Sequence, residues 1–191
     1  MAGRPRRDES EYSRRDAVLE SAMETFSRIG YRKTSMEDVA RAAHISRPGL
    51  YFLFDSKPVL FREAVSRALD RDLACIALIL SDEDQPLNAR LVAAFDRWAG
   101  SYIGPLTHGE ADGGFDPALL GSLLDTAPRR FEELVTAAVE AAHPGDAVER
   151  TRTLISASIG IKYQTNTRER YNERLAVAVD LLVGGGSVEH S

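Results

Sequence analysis

The sequence predicts an all-α chain of two domains, a small three-helix head and a larger helical body. Three observations carry this reading. Residues 34–57, TSMEDVARAAHISRPGLYFLFDSK, hold two short segments, each with its own N-terminal cap and separated by a tight corner. Helices so short are unstable alone, so a third must support them. Beyond residue 57, apolar residues recur at helical spacing in segment after segment, with breaks such as Pro144-Gly145 between them.

Residues 1–12 are polar and are expected to be a flexible basic arm. Within them GRPRR is either a solvated tail or an arm whose Arg4 and Arg6 enter a narrow A·T minor groove. Ser13 to Ile29 reads as the first helix, capped by Ser13 with Asp16, with Val18, Leu19, Ala22, Phe26 and Ile29 as its buried stripe. Gly30 ends it. Ser35 and Asp38 form a capping box for the second helix, which turns Met36, Val39, Ala40 and Ala43 inward. Ser46 caps the third. Pro48 falls in its first turn, where a missing N–H costs nothing, and Ile45 and Leu50 form a hydrophobic staple. Leu50, Leu53 and Phe54 make its inward face, while Tyr51 and Phe52 either fill the core or face outward.

This stretch resembles the helix-turn-helix of the TetR family of transcriptional regulators. The order A-x-x-A-x-(I/V)-S-x-x-x-L-Y-x-x-F-x-S-K is carried by Ala40, Ala43, Ile45, Ser46, Leu50, Tyr51, Phe54, Ser56 and Lys57, with Gly30-Tyr31 and Thr34-Ser35 upstream. The chain departs from the pattern at the corner, where His44 replaces the usual Gly. It departs again where Phe52 and Leu53 replace Tyr and His. His tolerates a left-handed backbone better than most residues.

The resemblance implies a head over residues 13–56 that binds double-stranded DNA, and a ligand-binding and dimerisation body over 57–183. It places the third helix in the major groove with Arg47, Pro48 and Gly49 at base edges and Ser46 at its start. Arg47 would fork onto guanine, and Phe52 would pack on a thymine methyl. Thr34, Ser35, Tyr51 and Lys57 are expected on phosphates. The implied function is a homodimeric regulator, commonly a repressor, that reads a palindromic operator and is released by a small apolar or amphipathic ligand. The alternative is a regulator without such a ligand, controlled by a protein partner or by its own concentration.

In the body, Lys57 to Leu80 reads as one helix that starts on the head and ends in an apolar run, LACIALIL, needing cover on every side. Cys75 lies in this run as core packing. Ser81–Pro86 is an acidic turn, and Leu87 to Ile103 the next helix. Residues 104–116 are a long irregular stretch that either gates a pocket or is a plain surface loop. Pro117–Leu124 and Pro128–His143 read as separate helices. Asp146 is expected to cap the final pair, which runs from Val148 to Thr165 and from Thr167 to Val183. Ile155, Ile159, Leu175, Val179 and Leu182 are expected at a two-fold dimer interface, with Val177 and Leu181 on the other side of the last helix. Phe95, Trp98, Tyr102, Phe115, Phe131 and Tyr163 either line a ligand pocket or form ordinary core. Residues 184–191 are expected to be a frayed tail.

The net charge of −5 divides unevenly: residues 1–60 hold 11 Lys and Arg against 9 Asp and Glu, and residues 61–191 hold 13 against 20. A near-neutral head on an acidic body fits a DNA-binding domain joined to something else. A single Cys excludes an intramolecular disulfide and suits a reducing cytoplasm. The longest apolar runs are far short of a membrane span. The four His show no HxxxH or HExxH spacing, and neither a phosphate loop nor a GxSxG elbow is present. No enzyme, metal or cofactor is expected.

Overall fold

The structure, a computed structural model, describes residues 7–100 and 117–184, with side chains from Arg14 onward. Eight α-helices follow one another: α1 (Arg7–Ile29), α2 (Met36–Ala42), α3 (Arg47–Leu53), α4 (Lys57–Ser81), α5 (Leu87–Trp98), α6 (Leu123–Glu140), α7 (Ala147–Gln164) and α8 (Arg168–Val183). A 3₁₀ turn, Pro117–Leu119, precedes α6, and there is no strand among the described residues. The all-α expectation holds.

Two compact units are present, residues 7–70 with 117–124 and residues 71–100 with 125–184. The first is the head. Val18, Leu19, Ala22 and Phe26 of α1, Met36, Val39 and Ala40 of α2, and Leu50 and Phe54 at α3 meet Leu60, Phe61 and Ala64 of α4. Phe26 and Phe61 pack edge to face at 5.1 Å, a favoured aromatic geometry. Leu120 joins the same core, and Arg62 Nε donates to the Leu119 carbonyl at 2.9 Å. The expected division at residue 56 therefore cuts through a core. Two seven-residue helices and one supporting helix leave apolar surface open, and the first half of α4 with residues 119–123 covers it.

Several boundaries differ from expectation, and α5 ends at Trp98 rather than Ile103. Helix α1 begins at Arg7, so Ser13 lies inside it and part of the expected arm is helical. Asp16 does not cap; its carboxylate meets Arg67 of α4 at 2.6 Å. The two helices expected over 117–143 become the 3₁₀ turn and a single α6, which contains Pro128. Pro128 has no N–H for the Leu124 carbonyl, so that intrahelical bond is missing while the helix continues to Glu140.

In the second unit Asp96 of α5 accepts from Arg168 Nε at 2.6 Å and Nη2 at 2.5 Å, and from Asn172 of α8 at 2.9 Å. The Arg168 guanidinium holds the Asp96 carboxyl below the usual carboxylate range. Tyr171 and Ser158 share a buried hydroxyl hydrogen bond at 2.7 Å, and burial pushes the Tyr171 phenol up to about 12. Thr167 caps α8 by accepting from the Arg170 N–H. Asp146 stands at the cap position of α7 without a side-chain cap bond. Its carboxylate instead pairs with Arg150 at 2.7 Å. The apolar end of α4 is only partly covered: Leu73, Ile76 and Leu80 are buried, whereas Leu78 is 71% exposed.

The corner between α2 and α3 turns at His44, whose φ of 54° is left-handed. Its side chain is exposed, so the residue contributes strain without packing. Replacing His44 by Gly should raise stability by about 0.5–1 kcal/mol, the relieved left-handed penalty less the entropy that Gly adds to the unfolded chain. Urea denaturation checks this; a destabilised Gly variant would show that the imidazole holds the corner.

Candidate nucleic-acid interface

The capping box of α2 is fully formed. Asp38 N–H donates to Ser35 Oγ at 3.2 Å, and the Ser35 N–H and hydroxyl donate to Asp38 Oδ2 at 2.9 and 2.6 Å. These bonds hold the Asp38 carboxyl below its ordinary value. At α3, Ser46 Oγ accepts from the Gly49 N–H at 3.1 Å. A Cβ on Gly49 would sit 3.1 Å from the same oxygen, so glycine here gives room to the cap. The chain leaves α3 extended at Phe54, with φ −140° and ψ 120°.

Leu50 is fully buried and Phe54 nearly so. The opposite face carries Arg47, Pro48, Tyr51 and Phe52, and all four are exposed. Phe52 is 82% exposed, which decides its side: it is no part of the core. The Arg47 guanidinium lies 5.7 Å from the centre of the Tyr51 ring, a cation–π distance that keeps the two side chains together on the outer face. Arg47, Pro48, Tyr51 and Phe52 thus share one solvent-facing surface, with Ser46 and Gly49 at its N-terminal edge. Arg41, at the end of α2, keeps a side chain 73% exposed and a long 3.8 Å pair with Asp38.

Two of the expected phosphate contacts take other roles. Thr34 is 2% exposed, and its hydroxyl donates to the Gly30 carbonyl at 2.8 Å. It closes the turn after α1 and offers no side chain outward. Lys57 points back into the head. Its Nζ donates to the Tyr31 and Thr34 carbonyls at 2.8 Å each and to the Arg32 carbonyl at 3.4 Å. It also lies 4.4 Å from the Tyr31 ring centre. Ser35 remains exposed, with its hydroxyl engaged in the capping box. Arg4 and Arg6 lie outside the described residues.

One organising residue is invisible in the sequence pattern. Arg15 of α1 donates to the Leu53 carbonyl at the end of α3 at 2.6 Å, pairs with Glu63 of α4 at 2.5 Å, and stacks 4.2 Å above the Phe54 ring. An arginine on the polar side of a first helix carries no local mark of that role.

The expected ligand and dimer residues are placed differently. Phe95 and Phe131 are each 1% exposed and pack edge to face at 5.0 Å, with Trp98 stacked on Phe131 at 4.8 Å. Phe95 and Phe131 belong to the core, and Trp98 is half-buried against them. Tyr163 is exposed, and Tyr102 and Phe115 lie outside the described residues. A separate open cleft of about 320 Å³ is lined by Leu73, Ala74 and Ala77 of α4 and Arg130, Glu133, Leu134 and Ala137 of α6, with none of the expected aromatics. Leu175 and Val179 are fully buried, so they are unavailable to a partner. Ile155 and Leu182 are half-buried. Ile159 is exposed, together with Tyr163 on α7 and Val177 and Leu181 on α8. On α8 the stripe 171, 175, 179, 183 is the inner one, and the outer stripe is 177 and 181. Among the described residues there is no cluster of three metal-ligating side chains and no helix long and apolar enough to cross a membrane.

Residues 18–64 match the family model for bacterial regulatory proteins of the tetR family. The HTH-type transcriptional regulator YfiR of Bacillus subtilis is 34% identical over 125 residues, 65% of this chain and 51% of that protein. The HTH-type transcriptional repressor ComR of Escherichia coli is 36% identical over 88 residues, 46% and 42% of the two chains. The chain spans about half the length of these relatives. Among solved structures, the reduced form of Escherichia coli NemR aligns with a TM-score of 0.69 at 15% identity, over 87% of this chain and 95% of that one. A transcriptional regulator of the TetR/AcrR family from Thermobifida fusca aligns at 0.63 with 19% identity, over 92% and 99%. At these identities the likeness is one of fold. Residues 18–64 thus form a helix-turn-helix domain of the tetR family.

Two substitutions separate cap from contact surface. Ser46→Ala should lower stability by about 1 kcal/mol, whereas Phe52→Ala should leave it within about 0.5 kcal/mol. Thermal or urea denaturation of both variants checks this, and a strongly destabilised Phe52→Ala would return that ring to the core.

Proposed function

We propose that this TetR-family chain is a homodimeric transcriptional repressor that binds a palindromic operator and leaves it when a small apolar or amphipathic molecule binds the body. The observation that carries the DNA-binding part is the outer face of α3. An arginine, a tyrosine and a phenylalanine stand in solvent on a helix whose other face is locked into the core. Arg47 would read guanine and Phe52 a thymine methyl, while Tyr51 and the α2 end at Ser35 meet phosphates. Repression follows the name of one of its relatives.

The dimer reading rests on Ile159, Tyr163, Val177 and Leu181, which leave apolar surface exposed on two helices of one unit. A second copy related by a two-fold axis would cover it and hold two α3 helices about one DNA turn apart, or a multiple of it. The cleft between α4 and α6 is the place for an effector, with apolar walls and the Arg130 and Glu133 side chains for a polar end. A second reading, regulation without a small molecule, draws on the close packing of Phe95, Trp98 and Phe131 against one another.

Selection from a random duplex library should enrich a palindrome, with Arg47→Ala relaxing preference at one base pair per half-site. Absence of any enriched duplex at moderate salt would sink the regulator reading. For the assembly, Leu181→Glu should convert a dimer to monomer in sedimentation equilibrium and weaken operator binding alongside. A variant that stays dimeric would remove the outer face of α8 from the interface.

A further inference from the structure

We propose that Lys57 serves DNA binding as a positioning residue, clamping the turn before α2 to the start of α4, and contacts no phosphate itself. The inference rests on the DNA-binding reading above and departs from the role expected of this lysine.

An ammonium group has three N–H donors and no acceptor. Lys57 Nζ lies 2.8 Å from the Tyr31 carbonyl, 2.8 Å from the Thr34 carbonyl and 3.4 Å from the Arg32 carbonyl. The Tyr31 ring also lies beside the ammonium, its centre 4.4 Å from Nζ. Its donors are therefore committed to the backbone of residues 31–34. That turn is closed from its other side by Thr34, whose N–H and hydroxyl both donate to the Gly30 carbonyl, at 3.1 and 2.8 Å. Ser35, the cap of α2, follows at once.

Turning Lys57 onto a phosphate would strip this donor from the carbonyls it holds, a cost set against a single screened surface contact. Left in place, the ammonium fixes where Ser35 and the first N–H groups of α2 stand relative to the first residue of α4. The chemistry is specific to lysine. A guanidinium is a flat fork whose donors diverge in one plane, and it does not aim three of them at carbonyls converging on one point. At a phosphate, by contrast, arginine is at least as good a partner as lysine. The two roles thus predict opposite outcomes for Lys57→Arg.

The experiment uses the full chain and a duplex selected by the wild-type protein, with affinity measured from 50 to 200 mM salt for wild type, Lys57→Arg and Lys57→Met. The clamp predicts that both variants lose about tenfold or more in affinity, the order expected from breaking a half-buried set of charge-assisted hydrogen bonds. It also predicts an unchanged slope of log K against log salt. Amide hydrogen exchange, measured without DNA, should quicken across residues 31–38 in both. Wild-type affinity in Lys57→Arg overturns the proposal, as does a slope in Lys57→Met shallower by about 0.9, the signature of one lost phosphate contact. If Lys57→Met does not fold, Lys57→Arg decides alone. Failure of the wild-type protein to select any duplex sinks the proposed function, and the exchange arm still tests the clamp: unchanged protection of residues 31–38 overturns it.

Discussion

A seven-residue helix cannot hold itself together in water, and α3 is such a helix. Everything around it follows from that constraint. Leu50 and Phe54 anchor one face in a core built from four helices. Ser46 meets an orphan N–H at its start, and Arg15 meets the Leu53 carbonyl at its end. With both termini and one face held, the other face is left to carry Arg47, Tyr51 and Phe52 into solvent at little cost to folding. Buried support and exposed chemistry are thus two sides of seven residues.

The same constraint explains why charge in the head is a poor guide to contact. Arg15 and Lys57 are cations of a near-neutral domain, yet both point inward at backbone carbonyls and aromatic faces. Arg67 reaches Asp16 and joins α4 to α1. Short helices end in carbonyls that need donors, and long flexible cations are well shaped to supply them from neighbouring elements. Among the described residues, Arg32, Lys33, Arg41 and Arg47, within or just before the helix-turn-helix, are exposed.

What the sequence made legible was local. Ser35 with Asp38, Ser46 with Pro48, and a left-handed His44 are decided within three or four residues, and each stands as expected. The inward spacing of Leu50 and Phe54 was legible for the same reason, whereas the spacing left Tyr51 and Phe52 open and their exposure decides it. Contacts between distant segments were not. Whether residues 175 and 179 or residues 177 and 181 face inward depends on how α8 rolls against α5 and α7, and both stripes are apolar. Lys57 looks alike in sequence whether it meets a phosphate or a carbonyl 23 residues upstream. Leu120 completes the head from a point some 60 residues beyond Phe61, and no local periodicity announces that.

These distant contacts bear on the switching proposed for the head. Helix α4 is a continuous element of 25 residues, roughly 38 Å long. Its first residue, Lys57, grips the turn that leads into α2, and Glu63, under two turns later, grips Arg15 and through it the end of α3. A small shift or roll of α4 therefore acts on both helices of the motif, at the start of α2 and at the end of α3. Packed elements of this kind respond by moving between discrete arrangements rather than by bending smoothly. An effector changes DNA binding only to the extent that it prefers one arrangement, and a swing from 99:1 to 1:99 requires a preference of about 10⁴. In the proposed switch, the Lys57 contacts and the Glu63–Arg15–Leu53 link would carry that preference to the contact surface, since α4 holds the start of α2 and the end of α3 alike.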